Sequence, residues 1–443
     1  MRQNIIIAVV LIAVLALALT SVMLMDSPVQ TAEDTAEPTV ADSTTEPTQI
    51  PEPTEADSPS VSLALSEYRV LLNWPPIDGA DGYYVYCDDG SGFKDFGKAE
   101  ITSFRKKGLK GGTYYTFGIK AYSMKNGKEV ISDDMLTVSG TTLPDIPVFT
   151  AAKNGSTYTL TWKAVNNADH YIVCSSTDGD NWTDEGTTKE TTFSFDKADI
   201  SLLYTAVKAV VYSGSKEYIS DYTKTPVSDK ATKGKVCSYG DSIAVGIGSH
   251  NYSYADIFAE EHDLTLVDKS NPGSVISSSN PDKHHIAESI ISDVTPEYDY
   301  VLIEGGNNDH YFESPLGKVT PDGTTELDMN TTCGALEAAF SYLKEKCPDT
   351  KAVFILIHKR SPLKNSSGLL FEDYAEAITA VCKKYGVPVA DCLNDSGMDT
   401  SDPEICKQYT HKFNGVFPDG DGVHPSEEAY RKFYMPLIDK VFS

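Results

Sequence analysis

The spacing of hydrophobic positions changes three times along the chain. Residues Ile5–Met25 form an apolar run that only Thr20 and Ser21 interrupt. From about residue 61 to 230, apolar and polar residues alternate over short segments separated by Gly, Asn and Asp, which predicts β-strands. From residue 236 onward, short apolar runs alternate with segments of helical period, which predicts strands separated by helices.

The N-terminal run has the length of a membrane span. At about 1.5 Å per residue, its 21 residues match a hydrocarbon core of about 30 Å. Arg2 before the run favours an uncleaved signal anchor over residues 1–25, because positive charge stays in the cytoplasm. A signal peptide cut after Ala16-Leu17-Ala18 is the alternative. Both interpretations predict that the rest of the chain is exported.

The next segment, residues 26–60, is polar and acidic. It has nine acidic residues, no Lys or Arg, no aromatic residue, and repeated Glu-Pro-Thr units, one of which continues as Pro-Thr-Glu. Such a segment cannot bury enough apolar surface to offset its ordering entropy, and proline and charge repulsion keep it extended. We therefore predict a disordered stalk, which carries nine of the 27 net negative charges.

The strand-rich region contains an internal repeat. Leu72-Asn73-Trp74 matches Leu160-Thr161-Trp162, and Tyr83 matches Tyr171, both at an offset of 88 residues. The repeat predicts two all-β modules of the β-sandwich type, over residues 61–144 and 145–230, with the Trp and Tyr side chains in their cores. The pattern resembles the fibronectin type III fold, which implies a spacer or a module that contacts glycan or protein.

The C-terminal region predicts a parallel sheet with helices on both faces. The strand candidates are Lys235–Tyr239, Leu264–Val267, Tyr300–Glu304, Ala352–His358 and Val387–Ala390. The helix candidates are Tyr252–Glu261, Thr331–Lys346, Leu370–Tyr385 and a last helix opened by Pro425. Sites in such sheets form at the carboxyl ends of the strands, which is where reactive residues are expected.

Three of the predicted strand ends, and the loop before the last helix, carry residues suited to acyl transfer. Ser242 follows the first strand in Gly240-Asp241-Ser242, and a serine nucleophile needs a base. Asp421 stands three residues before His424, where a carboxylate can orient an imidazole. Gly273 follows the second strand, and the sequence Gly305-Gly306-Asn307-Asn308-Asp309 ends the third, where N–H groups can meet an oxyanion.

Together these four motifs, in this order, resemble the SGNH/GDSL hydrolases over residues 236–443. The resemblance implies a flavodoxin-like α/β domain of three layers. It implies that Ser242 is the nucleophile, His424 the general base and then acid, and Asp421 the residue that orients His424. The oxyanion hole would consist of the backbone N–H groups of Ser242 and Gly273 and the side chain of Asn308, because the family pattern Gly-x-Asn-Asp fits Gly306 through Asp309. It implies no cofactor and no metal.

The net charge of −27 excludes a phosphate backbone as partner, so nucleic-acid binding is not expected. We expect an extracellular serine esterase at the surface of a Gram-positive bacterium, or secreted, that deacetylates polysaccharide, since family analogy favours an acylated glycan substrate. A lipase, lysophospholipase or arylesterase is one alternative. A surface adhesion protein with an inactive hydrolase domain is another, and its modules would bind the partner. The N-terminal segment would contact the membrane in each case.

Overall fold

The structure is a computed structural model that describes residues 61–198 and 202–442. The predicted signal anchor (1–25) and stalk (26–60) lie outside the described residues. Within the two described ranges, no helix is both long enough and apolar enough to cross a bilayer.

The first β-rich module consists of two antiparallel sheets. One has the strand order β1-β2-β5, and the other has β4-β3-β6-β7 with β8 also paired to β6. The strands are β1 (Ser62–Leu65), β2 (Arg69–Asn73), β3 (Gly82–Asp88), β4 (Lys94–Ala99), β5 (Ser103–Lys107), β6 (Tyr114–Lys125), β7 (Lys128–Ile131) and β8 (Leu136–Thr141).

The second module repeats this arrangement. Its sheets have the orders β13-β10-β9 and β12-β11-β14-β15, and β16 pairs with β14 as β8 pairs with β6. The strands are β9 (Phe149–Asn154), β10 (Thr157–Trp162), β11 (His170–Ser176), β12 (Thr183–Thr188), β13 (Thr192–Asp196), β14 (Leu202–Ser213), β15 (Lys216–Ile219) and β16 (Thr225–Ser228). The predicted all-β class of this region is confirmed.

Each module is held together by an aromatic pair between its two sheets. Trp74 and Tyr83 meet edge to face with ring centroids 5.2 Å apart, and Trp162 and Tyr171 do the same at 5.2 Å. All four side chains are buried in the module cores. The prediction that these residues are core, rather than an exposed sugar platform, is confirmed.

The C-terminal domain contains a parallel sheet of five strands in the order β18-β17-β19-β20-β21. The strands are β17 (Gly234–Tyr239), β18 (Leu264–Asp268), β19 (Tyr300–Glu304), β20 (Lys351–Leu356) and β21 (Val389–Asp391). All five predicted strands are present. Numbered within the domain, the order is 2-1-3-4-5, which is the flavodoxin-like order that the resemblance implies.

The helices fall into two packed groups. Helix α5 packs against both α3 and α6, and α2 packs on the C-terminal helical segment α9. The helices are α1 (Ser242–Val245), α2 (Tyr254–Glu261), α3 (Ile286–Asp293), α4 (Asn307–Tyr311), α5 (Thr332–Lys346), α6 (Phe371–Tyr385), α7 (Pro403–Tyr409), α8 (Glu427–Ala429) and α9 (Met435–Phe442), with a 3₁₀ turn over Ile247–Ser249 and a π-helical turn over Tyr430–Tyr434. The predicted α/β class is confirmed.

The start of the last helical segment was expected at Pro425, and this expectation is wrong. Helix α8 begins after Ser426, whose Oγ accepts the N–H of Ala429 at 3.3 Å. The N–H of Ser426 donates to the Tyr409 carbonyl at 2.8 Å, and Thr410 forms an isolated antiparallel β-bridge with Pro425. The backbone at Pro425 is therefore extended and paired, so the helix starts two residues later.

Candidate active site

The nucleophile candidate stands at the carboxyl end of strand β17, the first strand of the parallel sheet along the chain. Ser242 is the first residue of α1, and the Asp241 side chain caps this short helix by accepting the Ile243 N–H at 2.9 Å. A Cβ on Gly240 would lie 2.4 Å from the Cβ of Ala244, so only glycine allows the chain to turn this sharply from strand to helix.

Ser242, His424 and Asp421 form one chain of hydrogen bonds. The Nε2 atom of His424 lies 2.9 Å from the Oγ atom of Ser242, and its Nδ1 atom lies 2.5 Å from Oδ2 of Asp421. The other Asp421 oxygen accepts the N–H groups of Val423 and His424, each at 3.0 Å. Burial raises the pKa of Asp421, but the hydrogen bond and charge of His424 outweigh burial and lower it below the ordinary aspartate value.

This arrangement leaves the imidazole ready to accept a proton from the serine. Since a carboxylate only accepts hydrogen bonds, the proton of a neutral His424 sits on Nδ1 and the lone pair on Nε2 faces Ser242. The three residues that sequence reasoning selected as Ser, His and Asp are therefore brought together by the fold.

The predicted oxyanion residues surround the start of α1. Asn271-Pro272-Gly273-Ser274 forms a turn closed by the Ser274 N–H on the Asn271 carbonyl at 3.1 Å, with Gly273 at a φ of 82°. Proline at the second position and a left-handed glycine at the third are the marks of a type II turn. Among the described residues, neither the Gly273 N–H nor the Ser242 N–H has a hydrogen-bond acceptor.

Asn308 connects the two loops rather than pointing into open space. Its Nδ2 donates to Oδ2 of Asp241 and to the Ser274 carbonyl, both at 3.0 Å. The neighbouring Asn307 faces away, with its Oδ1 accepting the guanidinium of Arg360 at 2.6 Å. Of the two asparagines, Asn308 is thus the one beside the nucleophile loop, but both of its amide protons already have acceptors.

A comparison with models of known protein families gives the class of this domain. Residues 238–432 match the model of the GDSL-like Lipase/Acylhydrolase family. The C-terminal domain is a GDSL-like lipase/acylhydrolase domain. The protein is therefore a serine ester hydrolase. Among curated proteins, none matches this chain.

Several solved structures are similar to parts of the chain. A protein from Lactobacillus plantarum is 24% identical with a TM-score of 0.39, covering 48% of this chain and 96% of that one. Phospholipase A1 from Streptomyces albidoflavus is 16% identical with a TM-score of 0.33, covering 47% and 98%. A segment of two fibronectin type III domains from chicken tenascin is 20% identical with a TM-score of 0.26, covering 38% and 98%.

Two buried acids that sequence reasoning did not select support the loops of the GDSL-like domain. Asp309 accepts the N–H groups of Ile276 and Ser277 at 2.7 and 3.2 Å and the Thr332 hydroxyl at 3.0 Å. It thereby fixes the segment that follows Gly273. Burial raises the pKa of Asp309, so these three donors are what offset the cost of enclosing it.

The second acid, Glu304, ends strand β19 behind the nucleophile loop. Its Oε2 accepts the Asp241 N–H at 3.0 Å, and burial together with the Asp241 charge raises the pKa of Glu304 well above the ordinary glutamate value. The sequence carries a signal that could have identified Glu304, because this charged residue ends the otherwise apolar run Tyr300-Val-Leu-Ile-Glu304.

The loop that carries His424 rests on a buried histidine of the GDSL-like domain. His358 Nε2 lies 3.2 Å from the Gly422 carbonyl and its Nδ1 lies 2.8 Å from the Tyr434 hydroxyl. Burial lowers the pKa of His358 to about 4, so the ring is neutral near pH 7. Since the carbonyl only accepts, Nε2 carries the proton and Nδ1 accepts from Tyr434. Nothing local in the sequence marks this role.

No metal site accompanies these residues in the part of the chain that the structure describes, where no group of three or more His, Cys, Asp or Glu side chains is arranged to hold an ion.

Proposed function

We propose that this protein is an exported serine esterase that forms an acyl-enzyme on Ser242 and removes acetyl or similarly small acyl groups from a polysaccharide. The observation that carries the catalytic part is the continuous chain of hydrogen bonds from Ser242 Oγ through His424 to Asp421.

In the first half of the reaction, Ser242 Oγ attacks the ester carbonyl carbon while its proton passes to Nε2 of His424. The tetrahedral intermediate then collapses, the bond to the alcohol oxygen breaks, and His424 returns the proton to the departing alcohol. Asp421 holds the ring and stabilises the imidazolium that forms between these two steps.

In the second half, water replaces the alcohol. His424 takes one proton of the water as its oxygen attacks the acyl carbon. The bond to Ser242 Oγ then breaks, and His424 protonates that oxygen, which restores the free serine and releases the acid.

The developing oxyanion would accept hydrogen bonds from the backbone N–H groups of Ser242 and Gly273, which are free of acceptors among the described residues. Each such donor contributes about 3–4 kcal/mol in comparable sites. Asn308 would add a third donor by sharing or releasing its bond to Asp241 or Ser274.

The polysaccharide part rests on the net charge and on the β-sandwich modules. The net charge of −27 disfavours polyanionic substrates, and fibronectin-like modules joined to such a domain are consistent with glycan substrates. Export rests on the apolar run Ile5–Met25, as signal anchor or signal peptide, followed by the acidic stalk over residues 26–60. On this proposal the modules over 61–144 and 145–230 and the domain over 236–443 act outside the cell.

The catalytic proposal is tested with the full chain and p-nitrophenyl acetate. We expect Ser242→Ala to lower kcat/KM by at least about 1,000-fold, because the attacking oxygen is lost. The matched control is Ser215→Ala at an exposed turn, which should leave kcat/KM unchanged. Wild-type rates in Ser242→Ala, with the control equally active, would overturn the assignment of the nucleophile.

The substrate proposal is tested by comparing p-nitrophenyl acetate, butyrate and octanoate, and then acetylated xylan. We expect kcat/KM to fall as the acyl chain lengthens, and acetate to be released from the xylan. A preference for octanoate would favour a lipase and contradict the proposed substrate. If the wild type hydrolysed none of these esters, the proposed esterase activity itself would be contradicted.

A further inference from the structure

A cleft of about 540 Å³ opens beside the Ser242–His424 pair, at the junction of three parts of the chain. The first module contributes Glu67, Tyr68 and Leu143 to its wall, and the second contributes Ile146, Ile219, Ser220 and Asp221. The GDSL-like domain contributes the rest, including Val245, Pro272, His411 and Phe413. We call this space the junction cleft.

The junction cleft adjoins the reacting groups. Val245 lies three residues after Ser242 in α1, a distance of about 5 Å along the helix, and Pro272 immediately precedes Gly273. The ring of Phe413 meets the ring of His424 edge to face, with centroids 5.7 Å apart. A substrate whose ester bond reaches Ser242 can therefore extend into this space.

The wall from the first module is fixed to the GDSL-like domain. Asn414 Nδ2 donates to the Leu65 carbonyl at 2.6 Å, and Arg105 Nε donates to the Val416 carbonyl at 2.9 Å. The guanidinium of Arg69 lies 4.5 Å from the centre of the Phe413 ring. These contacts bracket Glu67 and Tyr68, so the two side chains are held at the cleft.

The wall from the second module is fixed as well. Oδ1 of Asp221 lies 2.7 Å from Nδ1 of His250, and the Lys224 N–H donates to the His250 carbonyl at 2.9 Å. Tyr222 stacks on the His250 ring with centroids 4.2 Å apart. The modules therefore contribute a rigid surface to the cleft.

The chemistry of the lining selects among substrates. It combines aromatic faces (Tyr68, Phe413), carboxyl groups (Glu67, Asp221) and amides (Asn251, Asn414) with aliphatic side chains (Leu143, Ile146, Ile219, Val245, Ile247), and it contains no Lys or Arg. Burial lowers the pKa of His411, which keeps that ring uncharged. Aromatic faces accept the C–H faces of sugar rings, and carboxyl and amide oxygens accept hydroxyl protons.

The same lining disfavours the alternatives. An anionic ligand would meet two acidic side chains and no cationic one. A long acyl chain would contact the aliphatic side chains, but it would also desolvate the carboxyl and amide groups without giving them hydrogen bonds.

We propose that the junction cleft binds neutral sugar units on the alcohol side of the scissile ester, and that Glu67 and Tyr68 of the first module and Asp221 of the second determine this specificity. The inference rests on the proposed esterase function and adds that the β-sandwich modules form part of the substrate site.

The test compares two substrates that fill the junction cleft differently. Acetylated xylohexaose extends into it, whereas p-nitrophenyl acetate has only a small aromatic leaving group. We expect Tyr68→Ala and Glu67→Gln each to lower the ratio of kcat/KM for acetylated xylohexaose over p-nitrophenyl acetate by at least fivefold, mainly through KM. Tyr68→Phe keeps the ring and should retain most of the ratio. The matched controls are Tyr114→Ala and Glu100→Gln, at exposed positions of the first module, which should leave the ratio unchanged.

A second measurement does not depend on turnover of the glycan. Unacetylated xylohexaose should inhibit hydrolysis of p-nitrophenyl acetate by the wild type, and inhibition should weaken by at least fivefold in Glu67→Gln. Thermal unfolding midpoints within a few degrees of the wild type would show that each variant is folded.

An unchanged ratio in Tyr68→Ala and Glu67→Gln would overturn the inference, and so would equal losses on both substrates. Turnover of p-nitrophenyl acetate without turnover of, or inhibition by, the oligosaccharides would also overturn it while leaving the esterase function intact. A wild type inactive on p-nitrophenyl acetate contradicts the esterase function instead.

Discussion

The two β-sandwich modules share one architecture but contact the GDSL-like domain through different residues. Strands β2 and β10 begin at residues 69 and 157, and β3 and β11 at 82 and 170, so both pairs keep the offset of 88. The irregularity in β3 between Val85 and Tyr86 recurs in β11 between Val173 and Cys174 at the same offset. The repeat therefore preserves strands, bulge and core.

The contact residues do not repeat. Arg69, which lies over Phe413, corresponds to Thr157 (69 + 88), and Lys224, which pairs with Glu427, corresponds to Leu136 (224 − 88). Tyr68 of the junction cleft corresponds to Ser156 (68 + 88). Core positions are required by the fold itself, whereas these positions are set by what each module touches.

The largest expected effect is a loss of stability when the aromatic core that both modules share is truncated. Trp74→Ala and Trp162→Ala should each lower the free energy of unfolding by about 3–5 kcal/mol, because each leaves a cavity beside the partner tyrosine. The unfolding free energies of both variants are measured by chemical denaturation, with circular dichroism as the signal. If one variant lost less than about 1 kcal/mol, the two cores would not be equivalent.

The next effect concerns a contact that only the second module has. The Lys224 side chain is 3% exposed and lies 2.8 Å from Glu427, so we expect Lys224→Leu to cost about 2 kcal/mol. Leucine is the residue at the equivalent position of the first module, and Glu427 keeps its bond to Arg431 at 2.9 Å. The exposed Lys163→Leu is the control, and equal unfolding free energies for both variants would contradict the role of Lys224.

The smallest expected effect is a change in stability that depends on pH. It is tested at two aspartates in equivalent positions of the modules, Asp133 and Asp221 (133 + 88). Burial raises the pKa of Asp221, but the hydrogen bond and charge of His250 outweigh it and lower the pKa. A folded pKa below the unfolded value of about 3.9 means that this carboxylate stabilises the fold above about pH 4. That stability is lost as the pH falls through the folded pKa.

We therefore expect Asp221→Asn to lower the free energy of unfolding by about 1–2 kcal/mol at pH 7, and by progressively less below pH 4. Asp133 is exposed, so Asp133→Asn should change the free energy of unfolding by less than about 0.5 kcal/mol. Urea unfolding at pH 7 and pH 3 measures both variants. A cost for Asp221→Asn that is the same at both values of pH would contradict the assigned bond.

The sequence was sufficient for the fold and for the reacting groups because both have local signals. Alternating strands, a repeat of fixed offset and apolar runs between helices each depend on neighbouring residues. Ser242 and His424 stand in short motifs at a strand end and before the last helical segment, and parallel strands bring such ends to one edge.

The remaining features depend on contacts between distant segments. Glu67 and Tyr68 occupy the turn between β1 and β2 and carry no motif, so only the docking of the module places them near Pro272 and His411. His358 ends an apolar stretch and reads as the end of a strand, and its bond to the Gly422 carbonyl follows from tertiary packing. Periodicity contains no information on either contact.

The bond between Ser242 and His424 also governs when the enzyme gains its activity. The two residues are 182 positions apart, and Glu67 precedes Ser242 by another 175 (242 − 67). Synthesis runs from the N-terminus, so the nucleophile and the residues that the two modules contribute to the junction cleft are made long before the base. Phe413, Asn414 and Val416, which hold the first-module wall, come just before His424, so the junction cleft and the Ser242–His424 bond are both completed only when residues 413–424 have joined the fold.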